Sequence, residues 1–165
     1  MKSEKREKKP KFSLAAKDEP MAELVNDTDK RTLAVWAIDC VERVLPFFEE
    51  NYPDDHRPKN ALEACRAWLQ TGVFRMAVIR TASLAAHAAA RDVGEDNPAR
   101  SAARAAGQAV ASVHVKTHSR AAAKYAQKAV WRSTNPADAD AAMTKERDWQ
   151  YHHLLELREK RDVDT

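Results

Sequence analysis

Glycine is nearly missing from this chain, with three residues in 165, and cysteine contributes only two. The sequence contains no G-x-x-x-x-G-K, no G-x-G-x-x-G and no G-x-S-x-G. Each of those motifs needs glycine where the backbone turns sharply or approaches a phosphate, so loop-built nucleotide sites and nucleophile elbows are excluded. Cys40 and Cys65 lie within helical patterns and not in C-x-x-C spacing, which makes them reduced core residues and not a disulfide framework or zinc knuckle. Alternating strand patterns and Asn-Gly hairpin signals are absent, which argues against a sheet. No window approaches the roughly 18 apolar residues of a membrane span. The apolar run FSLAA after the basic start is stopped by Lys17 and Asp18, too soon for a secretory signal. The expectation is a cytoplasmic protein without a membrane partner.

Acidic residues are missing from one long region. Residues 97–137 contain no Asp or Glu, yet hold seven Lys and Arg. Within it Lys116, Arg120, Lys124, Lys128 and Arg132 recur every four residues and form a slowly drifting stripe on a helix. Such a stripe is a candidate anion site for phosphates or an acidic protein surface. No regular aromatic interleaving marks it as a base-stacking surface, so nucleic acid is the less favoured partner. Flanking residues 29–63 and 138–164 each carry eight acids against five bases, and packing can neutralise the stripe internally. The net charge of +3 is itself local: residues 1–11 hold six basic against two acidic residues, which leaves the rest near −1.

What the chain has in quantity is alanine at helical spacing, and the fold class is all-α, a compact bundle of about six helices. Residues 1–26 read as a disordered basic tail, because dense charge with little apolar content cannot offset ordering entropy. A helical domain follows over 27–161. Its first helix starts near Asp29, capped by Thr28 or Asp29, with Leu33, Ala37, Cys40, Val44 and Phe48 in period, and is kinked or ended early by Pro46. The second enters through Pro58 and stops at Gly72. A third runs from about Val73 to Val93, with Met76, Ile79, Ser83, Ala86, Ala90 and Val93 in period. Asn97-Pro98 and Asn135-Pro136 each pair a capping residue with a proline that suits a first helical turn, so helices are expected to begin there. Between them lie two helices divided near His114 to Ser119, or one long kinked helix. Trp36, Trp68, Trp131 and Trp149 read as core packing.

Chemistry-bearing side chains are few. His114 and His118 share a face if their helix is continuous, and with His87 they form a candidate metal set; Asp39 and Glu63 complete a candidate acid–base cluster. The residue pattern favours hydrogen-bonded structural histidines over either, and no cofactor is expected. The acidic turn with Glu49, Glu50, Asp54, Asp55 and Arg57 is a candidate partner-binding surface.

Three segments, DKRTLAVWAIDCVERVLPFFEENYPDDHRPKNALEACRAWLQTG, RTASLAAHAAAR and ARSAARAAGQAVASVHVKTHSRAAAKYAQKAV, resemble in sequence and order the bacterial and archaeal immunity proteins with an Imm-5-like domain. The resemblance covers roughly Asp29 to Trp149. It implies a helical domain that neutralises a cognate protein toxin by binding it, with no catalytic motif to carry over. An enzyme or metal protein using the histidine and carboxylate cluster, and a nucleic-acid binder using 97–137, are the alternatives. Homodimerisation is compatible with all three.

Overall fold

The computed structural model describes residues 12–14 and 16–165. The arm at residues 1–11 lies outside them. The described residues form eight helices and no strand: α1 (Glu19–Asn26), α2 (Lys30–Glu42), α3 (Pro46–Glu49), α4 (Arg57–Thr71), α5 (Met76–Val93), α6 (Pro98–Ala111), α7 (His118–Ser133) and α8 (Ala139–Val163).

Local chemistry accounts for most boundaries. Asp29 accepts from the Thr32 amide at 3.0 Å and Asn97 from the Arg100 amide at 2.9 Å, each satisfying a first-turn donor. Gly72 and Gly94 end α4 and α5 at φ 67° and 79°, a left-handed cap that side-chain-bearing residues resist. The Ala-rich region divides as two helices, with the turn from Ser112 to Thr117 between them.

The count is eight and not about six, for two reasons. Pro46 has no amide hydrogen for an α2 bond, so α2 stops at Glu42 and the chain restarts as one-turn α3 with Pro46 in its first turn. Residues 19–26, expected within the tail, are helical: Asp18 caps α1, and Met21, Leu24 and Val25 are buried. Two other boundaries also shift. Asn135 accepts from the Asp138 amide at 3.2 Å in a turn, and α8 starts only at Ala139. The third expected helix starts at Met76, leaving Val73, Phe74 and Arg75 in the connection.

α2 packs against α4, α6, α7 and α8 and is buried on two sides. Trp36 and Cys40 enter one core cluster with Phe48 and Leu154, whereas Ile38 and Val41 enter another with Leu62, Cys65 and Val110. α6 lies between α5 and α7, and Ala102, Ala103, Ala105, Ala106 and Ala109 are fully buried along it. Short side chains on nearly every face let three helices approach one another closely, toward the lower end of the roughly 8–10 Å interaxial range. α5, by contrast, packs only against α4 and α6 among its main neighbours and leaves one long face toward solvent.

The core carries a polar relay. Trp36 Nε1 donates to the Gln150 carbonyl at 2.8 Å, Gln127 Nε2 donates to Gln150 Oε1 at 2.8 Å, and Gln150 Nε2 donates to the Ala123 carbonyl at 3.0 Å. These bonds hold α2, α7 and α8 in register, because a buried polar group without a partner is costly. Both cysteines are buried and free; burial pushes the Cys65 thiol up to about 12 and the Cys40 thiol well above its ordinary value.

Candidate functional site

The basic stripe, with Lys116 in the turn before α7 and the other four residues on α7, faces the chain itself. Lys116 Nζ donates to the carbonyl of Asn26 at 2.6 Å, at the C-terminal end of α1. Arg120 donates to the Asp18 carbonyl at 3.5 Å and Lys124 to that of Ala16 at 3.1 Å. Lys128 and Arg132 both pair with Asp96, at 3.4 and 2.5 Å. Three of the five thus hold the segment before α2, and two hold the α5–α6 connection. A groove of about 640 Å³ remains beneath that segment, lined among others by Val25, Gln108, Arg120, Lys124 and Tyr125.

Of the candidate acid–base and metal side chains, His114 and His118 line one cleft of about 130 Å³ and His87 lies near His118, but Asp39 and Glu63 are not among its lining residues. Asp39 on α2 accepts from His153 on α8 at 2.7 Å, and that imidazole stacks on Trp149. Glu63 is exposed on α4 beside Arg66, 3.2 Å away. His114 lies in the turn before α7 and stacks on Phe74, so its four-residue spacing from His118 does not follow one helix face. His118 hydrogen-bonds Gln108 through Nδ1 at 2.8 Å. His87, on α5, receives a hydrogen bond from Arg104 at Nδ1, 3.2 Å away, which places its proton on Nε2. Among the described residues no three His, Cys, Asp or Glu side chains are grouped to hold a metal ion.

Within the acidic turn, Arg57 is bound to Asp55 at 2.7 Å and Asp92 at 2.8 Å, tying the start of α4 to the end of α5. The Asp55 carboxyl is held below its usual range foremost by that guanidinium. Glu49, Glu50 and Asp54 are exposed. Two of the five candidate partner-binding residues are therefore joined in a structural ion pair.

A different surface stands out. Eight large hydrophobic side chains are exposed among the described residues, and six of them belong to one region: Val73, Phe74, Met76, Val78, Leu84 and Val115. Five of them are joined through Ile79 and His114, and Val115 follows His114 in the chain. Val73 and Val78 line a cleft of about 310 Å³ with Trp68, Met76 and Leu84 line a second of about 130 Å³ with His114, and Ile79 lines both. Neither cleft is lined by a carboxylate, while Arg75 borders the first and Arg80 the second. Met76 and Ile79 continue the core stripe of α5, but Val78 and Leu84 fall off it. Large apolar residues off the core period were the one sequence signal for this face.

The same face continues as a cationic surface. Arg80, Leu84 and Arg91 are exposed and lie four and seven residues apart on α5, hence on one side of it. Across the helix pair, Arg104 on α6 lies near both Arg91 and Arg100, and it is held below its ordinary value by burial first, then in part by these two neighbours. Arg80, Arg91, Arg100 and Arg104 join no ion pair among the described residues, whereas Arg43, Arg57, Arg66, Arg132, Arg147 and Arg161 all do.

Compared with known proteins, residues 23–157 match a family model described as Imm-5 like putative immunity protein. The matched span runs from α1 into α8 and includes the exposed face of α5. No curated protein matches, and no solved structure matches. No helix among the described residues is long and apolar enough to cross a membrane.

Proposed function

Because the chain belongs to the family of Imm-5-like immunity proteins, we propose that it neutralises a cognate protein toxin by binding it, and that it does so in the cytoplasm. The observation that carries the reading is the exposed apolar face around Phe74. A monomer gains nothing by holding Val73, Phe74, Met76, Val78 and Leu84 in water, and burying such a patch at an interface is a leading source of binding free energy. Phe74 is suited to anchor the contact: it stacks on His114 with ring centroids 6.0 Å apart, so its ring is already oriented before a partner arrives. The two clefts flanking Ile79 offer recesses for side chains of the partner. Two buried cysteines placed in different core clusters suit a reducing compartment.

Inhibition follows from occlusion. A toxin surface seated on α5 loses access to its own target over the area covered. The test is to identify any toxin-like protein encoded beside this chain in its native host and co-express the two, scored by growth and by co-purification. Wild-type protein is expected to rescue growth, and Phe74→Glu and Leu84→Glu to abolish rescue while remaining folded. A toxin that kills in the presence of the wild-type chain, and does not co-purify with it, overturns the reading.

A further inference from the structure

We infer that the α5–α6 face selects a partner of one chemistry: an acidic protein surface carrying an apolar anchor, with the anchor seated at Phe74 and Leu84 and the acidic groups at Arg91, Arg100 and Arg104. The inference rests on the proposed protein-binding role and names what that partner must present.

Counter-charges are the first ground. Six arginines have carboxylate partners, among them Arg43 with Glu146 at 2.6 Å, Arg147 with Asp18 at 2.8 Å and Arg161 with Asp29 at 2.6 Å, while Arg31 and Arg120 bind backbone carbonyls instead. Among the described residues no carboxylate pairs with Arg91, Arg100 or Arg104. Arg104 instead donates to the neutral Nδ1 of His87, and that imidazole is itself wedged against the α carbon of Gly107. Of the nearby acids, Asp92 is bound to Arg57 and Asp96 to Lys128 and Arg132, and Glu95 is exposed and pairs with none of the three arginines. Arg104 thus lies near two further guanidiniums, those of Arg91 and Arg100, and carboxylates of a partner would offset that like charge on binding.

Continuity with the apolar patch is the second ground, and it decides the class of partner. Leu84 and Arg91 are two turns apart on one helix face, so an object lying along α5 touches both. A nucleic-acid backbone has phosphates for the arginines but gives Val73, Val78, Met76 and Leu84 nothing apolar to bury. A protein surface supplies carboxylates and an apolar side chain together. A second copy of this chain is also disfavoured, because it would set the same arginines near one another across a two-fold axis.

The test uses the full chain and three probes measured by fluorescence anisotropy at low salt: a labelled decaglutamate peptide, the same peptide with one central leucine, and a 20-base-pair DNA duplex. The leucine-bearing peptide is expected to bind tightest. The double variant Arg91→Gln/Arg100→Gln should weaken both peptides at least tenfold, and raising the salt concentration should do the same. Lys128→Gln, which removes a cation already paired with Asp96, is the control and should leave binding unchanged. Arg91→Gln/Arg100→Gln should also melt at the same temperature as the wild type or higher at low salt, since it relieves repulsion; a structural role for these arginines would lower it. Failure of the peptides to bind, equal weakening by Lys128→Gln, or tighter binding of the duplex through the same arginines overturns the inference. So does sedimentation showing a wild-type dimer that Phe74→Glu dissociates. Failure of the inference is distinguishable from failure of the protein-binding role. If the toxin is lost on Phe74→Glu and held normally by Arg91→Gln/Arg100→Gln, the role stands and the acidic partner falls. If the peptides bind through the arginines and no toxin does, the acidic partner stands and the immunity role falls.

Discussion

His87 on α5 occupies the space that a side chain on Gly107 of α6 would fill: a Cβ added at Gly107 would stand 2.8 Å from His87 Nε2 and 2.9 Å from its Cε1. Gly107 has an ordinary helical backbone, so its value lies in that close approach. Ser83 completes the contact by donating to the Gly107 carbonyl at 2.9 Å. Because the collision involves three atoms of a ring and not the end of a flexible chain, Gly107→Ala is expected to destabilise by about 1–3 kcal/mol, despite the roughly 1 kcal/mol that alanine gains over glycine in a helix. His87→Ala/Gly107→Ala should recover most of that loss. Urea denaturation of the two single variants and the double measures the coupling, and additive losses would refute the contact.

The same imidazole makes stability depend on pH. Burial foremost, then the charges of Arg104 and Arg91, push the His87 pKa down to about 4 from 6.5. Between those values the unfolded chain binds a proton that the folded protein does not, so stability rises with pH across the interval. The contribution is complete above about pH 6.5 and is lost as pH falls toward 4. Asp29, held at about 2, acts in a lower window and is separable. An NMR titration of the His87 ring should show no midpoint near 6.5 in the folded protein.

Arg43 caps a carboxylate that has little water. It makes two bonds to Glu146, at 2.6 and 3.0 Å, and its guanidinium lies 3.9 Å from the centre of the Trp149 ring. Glu146 is 8% exposed, and Arg43→Ala leaves it without its partner. Since the Arg43 side chain is itself 41% exposed, the expected loss is about 1–3 kcal/mol, below the range for a fully buried pair. Arg43→Ala/Glu146→Gln should restore part of it in a thermal melt.

Gln127 and Gln150 are expected to behave asymmetrically. Gln127→Met strips the donor from a fully buried Gln150 Oε1 and should cost about 1–3 kcal/mol. Gln127→Met/Gln150→Met removes both ends of that bond and should cost less than the sum of the two single changes. Equality with the sum would show that the pair does not act as a unit.

Substitutions on the α5 face should separate stability from function. Phe74→Glu and Leu84→Glu change exposed positions, and are expected to move the unfolding free energy by less than about 0.5 kcal/mol while removing toxin binding. Circular dichroism melts beside the growth assay make the distinction.

How far the chain reads itself out follows from the range of each signal. Asn97-Pro98, Asp29, Pro58 and Gly72 act within one turn of their own position, and the helix starts and ends they imply are those the structure has. Alanine spacing likewise made the region of α6 and α7 legible as helical, while its division at Ser112 to Thr117 stood beside one long kinked helix until the structure separated them. α1 was not legible, because eight residues beside a charged arm look polar until Asp18 meets Arg147, 129 positions away.

Charge has no such short range. Lys116, Arg120 and Lys124 show helical periodicity, and nothing local says that their acceptors are carbonyls 90, 102 and 108 residues distant. Asp39 likewise meets His153 and not the histidines of the middle region. By itself the sequence determined that this is an all-α chain, where most of its helices begin and stop, and that residues 97–137 carry uncompensated basic charge, because capping, proline geometry and composition are local properties. Only the tertiary structure decided which of those charges the fold neutralises and which it leaves bare beside Phe74 and Leu84. Whether a cation finds a carboxylate, and whether a hydrophobic side chain finds a core, depends on which helices become neighbours.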